Sequence, residues 1–156
     1  MTTGKQLFST LADGKLTVEI AAINYADPTG NQVLVQMEPA PINPSDLALL
    51  TGAADLENAE YSDGKFVASM PEPFFSAQKG RHGLRLPVGN EGAGTVIAAG
   101  EGEAAQALIG QRVACVPGSA YSQYCVADAG MCFPLGDISS EDGASAFVNP
   151  MTALGF

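Results

Sequence analysis

A mainly β domain with short helices, built as a small barrel or twisted sheet, is the fold class this sequence predicts. Asp13-Gly14 stands between two β-prone runs, a pairing that favours a tight hairpin. Further short apolar runs recur between Gly and Pro turns, without the regular strand-helix alternation of a doubly wound fold. At 156 residues, 46% hydrophobic and 15% charged, the chain is long enough for one domain with its own core.

The runs Gln6 to Leu11 and Leu16 to Ile23 form the arms of the opening hairpin. Val33 to Met37 follows the turn Asp27-Pro28-Thr29-Gly30 and reads as a strand, and Pro39, Pro41 and Pro44 prevent a long helix after it. Asn43 is a good N-cap, with Pro44 at the first helical position and Asp46 in the first turn, so a short helix should run to Leu50 and stop at Gly52. Residues 53–86 lack a regular pattern and are expected to form a long irregular loop, a lid or a disordered segment. Strand signals return at Gly94 to Ala99, Arg112 to Val116 and Tyr121 to Val126. Ser139-Ser140-Glu141-Asp142 starts a capped helix toward Phe147, and Asn149-Pro150 repeats the cap-then-proline pattern. The helix begun there is apolar and has no C-terminal cap before Phe156. The expectation is a domain over 1–148, with 149–156 opening a helix that leads into a further domain.

A formal charge of −10 repels phosphate backbones and anionic lipid, so nucleic acid and membranes are poor partners. No apolar run reaches the roughly 20 residues of a bilayer span, and the N-terminus lacks the apolar centre of a secretory signal. A cytoplasmic protein is expected. Cys115, Cys125 and Cys132 lack Cys-x-x-Cys spacing, and their apolar neighbours predict buried free thiols. His82 lies in the basic stretch Lys79 to Arg85 and reads as a solvated loop residue.

One fingerprint invites a different function. Gly100-Glu101-Gly102-Glu103-Ala104-Ala105 fits Gly-x-Gly-x-x-Ala after a strand. Glu101 and Glu103 would oppose a pyrophosphate, and the helical run ends at Gly110, too short for a crossover between parallel strands. A tight turn is expected instead.

Three polar clusters remain: Asn43-Pro44-Ser45-Asp46, Gly89-Asn90-Glu91-Gly92-Ala93-Gly94, and Asn149-Pro150-Met151-Thr152-Ala153. Taken alone, Asn43 with Asp46, and Asn149 with Thr152, have the spacing of helix caps and first-turn residues, and the glycines serve backbone geometry. As an ordered triple they resemble the medium-chain dehydrogenase/reductase superfamily. Within it they look like the zinc-free quinone oxidoreductase and enoyl-thioester reductase branches, and the resemblance covers nearly the whole chain except residues 53–86.

That resemblance implies a GroES-like β-barrel forming the substrate side of a cleft, with the nicotinamide cofactor, NADPH, held mainly by a Rossmann domain beyond this chain. Zinc-dependent members of the superfamily carry Cys where Asn43 stands and His where Asn90 stands. An amide is a poor zinc ligand, so no zinc is expected. The implied reaction is hydride transfer to a quinone or an α,β-unsaturated carbonyl, steered by orientation and hydrogen bonds. Asn43, Asn149 and Thr152 are the implied cofactor contacts, and Asn43 and Asp46 the implied catalytic-site residues, with Glu91 bracing the barrel from beneath. Enoyl-thioester reductases of this branch have a tyrosine where this chain has Ala54. Tyr61 is a candidate substitute, set against the reading of an ordinary surface tyrosine. A small-molecule substrate and a homodimeric parent enzyme are implied, and the isolated chain should be inactive. The competing readings are a free-standing GroES-like binding module and a redox-inactive relative.

Overall fold

The computed structural model describes residues 1–155, and it is mostly β with short helices. Strands β1 (Thr2–Ala12) and β2 (Lys15–Tyr25) form the expected hairpin, longer at both ends than the apolar runs alone suggest. Its turn has Asp13 at φ 50° and Gly14 at φ 70°, the two positive values a two-residue type I′ turn needs. Then come β3 (Gln32–Met37), α1 (Pro44–Leu50), β4 (Glu60–Ser62), β5 (Lys65–Ser69), α2 (Phe74–Ala77), β6 (Arg85–Pro87) and β7 (Gly92–Ala99). The chain continues through α3 (Glu103–Gln106), β8 (Arg112–Cys115), β9 (Tyr124–Asp128), β10 (Cys132–Pro134), α4 (Ser140–Gly143) and α5 (Val148–Leu154).

The strands pair antiparallel in two five-stranded sheets, ordered β4-β5-β2-β1-β6 and β10-β8-β7-β3-β9. Among the described residues they do not close into one continuous barrel, and the mainly β class with short helices expected from sequence holds. The sheets meet where Leu7 N–H donates to Tyr121 O (2.9 Å) and Gln123 N–H to Lys5 O (2.9 Å). The main core lies on the second sheet, where Val33, Val35, Val96, Val113, Cys115 and Cys125 pack under Ala105 and Leu108 at the α3 turn. A smaller cluster of Ala93, Ala114, Leu135 and Ala144 seats α4, with Phe147 against it. Cys115, Cys125 and Cys132 are buried and free, as expected.

Residues 53–86, expected to be an irregular loop, contain the β4–β5 hairpin docked along β2. Asp63 (φ 51°) and Gly64 (φ 74°) make a second turn of the same kind as the first. His82, expected in solvent, is packed instead: its ring stacks on Phe75 at 3.9 Å, and Nε2 lies 2.8 Å from the Phe75 carbonyl. The Gly-x-Gly stretch is the expected turn. A Cβ on Gly102 would sit 1.9 Å from Asn31 Oδ1, and Glu101 Oε2 accepts the Gly30 N–H (2.9 Å). Both glycines and the carboxylate therefore serve the neighbouring loop. No helix among the described residues is long and apolar enough to cross a membrane.

Glu19 on β2 joins the docked hairpin to β6 through Lys65 (3.2 Å) and Arg85 (2.9 Å). The hydrogen bond from Lys65, aided by Arg85, holds its carboxyl below the usual range. A lowered folded-state value means stabilisation that is present above the ordinary glutamate range, about pH 4.3, and lost as pH falls through the folded-state value. Because both cations are substantially exposed, Glu19→Gln should cost no more than about 1 kcal/mol at pH 7. Urea unfolding should show that deficit shrinking as pH falls through the folded-state value, and a deficit independent of pH would refute the ion-pair origin.

Candidate functional site

The first polar cluster folds as local chemistry requires. Asn43 is the extended N-cap of α1, Pro44 is the first helical residue, and Gly52 at φ 53° ends the helix by donating to Leu47 O (2.7 Å). Asp46, in the first turn, accepts the Asn43 backbone N–H at Oδ2 (2.9 Å). A plain cap would leave its second oxygen to solvent. Here Asp46 is 2% exposed, and Oδ1 accepts the Asn90 backbone N–H (3.0 Å). Tyr121 shares its phenolic proton between Asp46 Oδ2 (3.0 Å) and Pro41 O (2.8 Å). One carboxylate thus ties the start of α1, the residues before β7 and the segment before β9. Burial, reinforced by Asp46 as acceptor, pushes the Tyr121 phenol well up, so its proton is held rather than released.

Residue 91 extends the network. Glu91 is fully buried, and its Oε1 accepts from Asn43 Nδ2 (3.1 Å). Its Oε2 accepts the backbone N–H groups of Phe147 (2.8 Å) and Val148 (3.1 Å) at the start of α5. This explains why α5 begins at Val148 rather than after Asn149. The capping acceptor comes from a residue 56 positions away, so Asn149 lies inside the first turn, and its side chain is not the cap. Asn43 is 1% exposed, and its enclosed Oδ1 faces the Asp46 backbone N–H in the capping box of α1, with no other partner.

Gly89 makes this convergence possible. Its φ is +100°, and a Cβ there would lie 2.5 Å from Tyr121 N and 3.0 Å from Ala120 N. The bare backbone lets Gly89 O accept the Ala120 N–H (2.9 Å), bringing Tyr121 against the stretch that carries Asn90 and Glu91.

Positions 43, 46 and 90 therefore converge, and α5 is attached to them through Glu91. Asn90 Nδ2 also donates to Ser45 Oγ (2.9 Å). Thr152 lies on α5 and is exposed, its hydroxyl donating to Val148 O (2.7 Å); Asn149 is exposed as well. Neither side chain is hydrogen-bonded to the buried cluster. Ala54 packs on the Leu11, Leu16 and Met70 cluster. Tyr61 is on the edge strand β4 with 77% exposure, outside the cluster. Tyr61→Phe should therefore change the thermal midpoint by less than about 1 °C and leave any activity of the longer protein unaltered. A large loss of turnover would place Tyr61 in the mechanism.

Sequence reasoning missed Tyr121 as a site residue. Nothing in the spacing of Gly118-Ser119-Ala120-Tyr121 marks a contact 75 positions away from Asp46. Beside Tyr121, an open cleft of about 320 Å³ is lined by Leu7, Ile20 and Tyr121 with Lys5 and Gln123 at its polar side. Among the described residues, no group of three or more His, Cys, Asp and Glu is arranged to hold a metal ion.

Comparison with known proteins bears on this site. Residues 29–146 match the family described as alcohol dehydrogenase GroES-like domain. No curated protein matches the chain significantly. Among solved structures, a Mesorhizobium loti protein provisionally named an NADPH:quinone reductase shares 28% identity at TM-score 0.67, the match covering 99% of this chain and 44% of that one. The quinone oxidoreductase of Pseudomonas syringae pv. Tomato DC3000 shares 24% at TM-score 0.65, covering 96% and 39%. Mycobacterial Rv1454c, solved with NADPH, shares 23% at TM-score 0.59, covering 96% and 38%. The last two speak for the fold alone. The chain thus spans less than half the length of the solved proteins it matches.

Proposed function

The chain belongs to the GroES-like domain family of the alcohol dehydrogenases, in the medium-chain dehydrogenase/reductase superfamily, and on that premise we propose that it is the substrate-side catalytic domain of a cytoplasmic, zinc-independent, NADPH-dependent oxidoreductase. Its substrates are quinones or α,β-unsaturated carbonyls, and residues 1–148 form the domain, with α5 leading toward a cofactor-binding part. The observation that carries this reading is the pair of asparagines at 43 and 90 whose backbone N–H groups are anchored on one buried carboxylate, Asp46.

The donor set supports a nicotinamide and not a metal. Asn43 and Asn90 offer neither thiolate nor imidazole. NADPH, when bound, supplies the hydride. The chain's own residues do the rest. Asp46 holds Asn43, Asn90 and Tyr121 in register, Glu91 keeps α5 against them, and the apolar wall of Leu7, Ile20 and Tyr121 suits a planar, uncharged substrate.

The test is NADPH oxidation by the longer protein against panels of quinones and enones, with the isolated chain as a blank. Turnover by the longer protein alone, unaffected by chelators, is expected. Cofactor binding without turnover on any acceptor would favour the redox-inactive reading, and a stoichiometric zinc requirement would overturn the proposal.

A further inference from the structure

The second sheet sets two of the buried thiols opposite one another, through a register that no spacing in the chain reveals. Cys132 on β10 is the cross-strand partner of Cys115 on β8. In the same ladder, Val116 N–H donates to Met131 O (3.4 Å) and Leu135 N–H to Arg112 O (3.0 Å). Hydrogen-bonded pairs alternate along an antiparallel ladder, so Cys115 with Cys132 is a non-hydrogen-bonded pair. Pro134, opposite Val113, obeys the same alternation, because its missing N–H falls on the open edge of β10. A non-hydrogen-bonded pair sets its Cα atoms about 4.5 Å apart with side chains on one face, within the roughly 4.4–6.8 Å that a disulfide spans. Both thiols lie in the main core, free and buried. Cys125 is the poorer partner: its strand β9 is not a neighbour of β8, and its Sγ lies 3.3 Å from Met37 Sδ.

We propose that Cys115 and Cys132 are an oxidisable pair, which a hydroperoxide converts to a disulfide that fastens the edge strand β10 to β8. This is independent of the chemistry at Asn43 and Asn90. The point of entry is β10, which is three residues long and paired on one side only, with Cys132 between exposed Met131 and Phe133. Such an edge opens locally at less cost than the core strands. With β10 open, the Cys132 thiolate attacks the peroxide, the O–O bond breaks, and one oxygen stays on sulfur as a sulfenic acid while the other leaves as water or an alcohol. As β10 closes, Cys115 Sγ displaces that hydroxyl, the S–S bond forms, and the oxygen departs as water with the Cys115 proton. The two thiols give up two electrons and two protons, and the peroxide is reduced. In the closed core the pair is protected: the neighbouring Cys125 thiol pushes Cys115 up to about 12, and Cys115 together with burial pushes Cys132 up, so neither is a thiolate at neutral pH. Oxidation therefore waits on the opening of β10. Once formed, the bond closes a loop over 116–131 and ties down the strand through which the chain passes into α4 and α5.

The probe is hydrogen peroxide, followed by denaturation, alkylation of the remaining thiols and peptide mapping, in the wild-type chain and in the longer protein. A bond from Cys115 to Cys132 is expected, with the loss of two hydrogen atoms, full recovery on reduction by dithiothreitol, and Cys125 left free to alkylate. Urea below the unfolding transition should speed the reaction, and Cys125→Ala should form the same bond. In the oxidised chain the thermal midpoint should rise by roughly 6–12 °C, the value of closing a loop of this length. A bond from Cys115 to Cys125 overturns the pairing. Sulfinic acid at Cys132 without any bond also overturns it, as do three free thiols after peroxide treatment in urea that has removed the exchange protection of β10. A Cys115–Cys132 bond that leaves the midpoint unchanged overturns the fastening of β10. Each of these readings except the Cys125→Ala control is made on the wild-type sequence, so none depends on whether a variant folds.

Discussion

Replacing Asp46 by asparagine is expected to lower stability by about 3 kcal/mol or more, because no amide can accept the three donors that now converge on the carboxylate. The Asn43 N–H, the Asn90 N–H and the Tyr121 hydroxyl all end on Asp46. An amide at 46 keeps one oxygen and sets an NH2 against one of these donors, so at least one buried N–H or O–H is left unmade. For a chain of this size the loss corresponds to roughly 6–12 °C in thermal midpoint. Tyr121→Phe removes one of the three donors and leaves the backbone bonds, so it should cost only about 1 kcal/mol. The two substitutions share a bond, and their effects should be less than additive in a double-mutant cycle. Hydrogen exchange gives a local check: the Asn43 and Asn90 amides should lose protection in Asp46→Asn and keep it in Tyr121→Phe. An Asp46→Asn protein within 1 kcal/mol of the wild type would show that the carboxylate is not the tie described above.

Gly89→Ala should be at least as damaging, for a reason of backbone geometry. At φ +100° any side chain is strained, at a cost of about 1–3 kcal/mol. The new methyl would also sit 2.5 Å from Tyr121 N, so the paired segment 120–121 must move away. That displacement breaks the bonds from Ala120 N–H to Gly89 O and from Tyr121 N–H to Val88 O, and carries the Tyr121 hydroxyl off Asp46. A total of about 3–5 kcal/mol is expected, read as a large fall in the urea midpoint. The chain has no tryptophan and four tyrosines, so tyrosine fluorescence and near-ultraviolet dichroism would report the displacement directly. A Gly89→Ala variant with wild-type stability and an unchanged tyrosine signal would mean that the close approach of residues 89 and 121 does not exist.

Much of the local structure can be read along the chain. Asp13-Gly14 needs only its own positive φ values to turn, and Asn43-Pro44 with Gly52 sets both ends of α1 by the same short-range rules. The Asp63-Gly64 hairpin was missed, because its strands are three and five residues long and largely exposed, too short for an alternating pattern to emerge. Its order comes from docking on β2, a partner that lies 46 to 54 positions earlier by the paired register. The start of α5 shows the opposite failure. Asn149-Pro150 carries a sound local capping signal, and it is overridden by Glu91, whose carboxylate reaches the Phe147 and Val148 amides first.

The sequence by itself determined the β-rich class, the bounds of α1, the buried thiols and the three polar clusters that point to one family, since each depends on residue type and near neighbours. Only the tertiary structure decided that Asp46 and Glu91 are buried hubs, that Tyr121 belongs with them, and that Tyr61 and the side chains of Asn149 and Thr152 stand outside. Those outcomes rest on hydrogen bonds spanning 44 to 75 positions, and such bonds leave no periodicity in the chain: their donors are mostly backbone amides, which every residue but proline possesses.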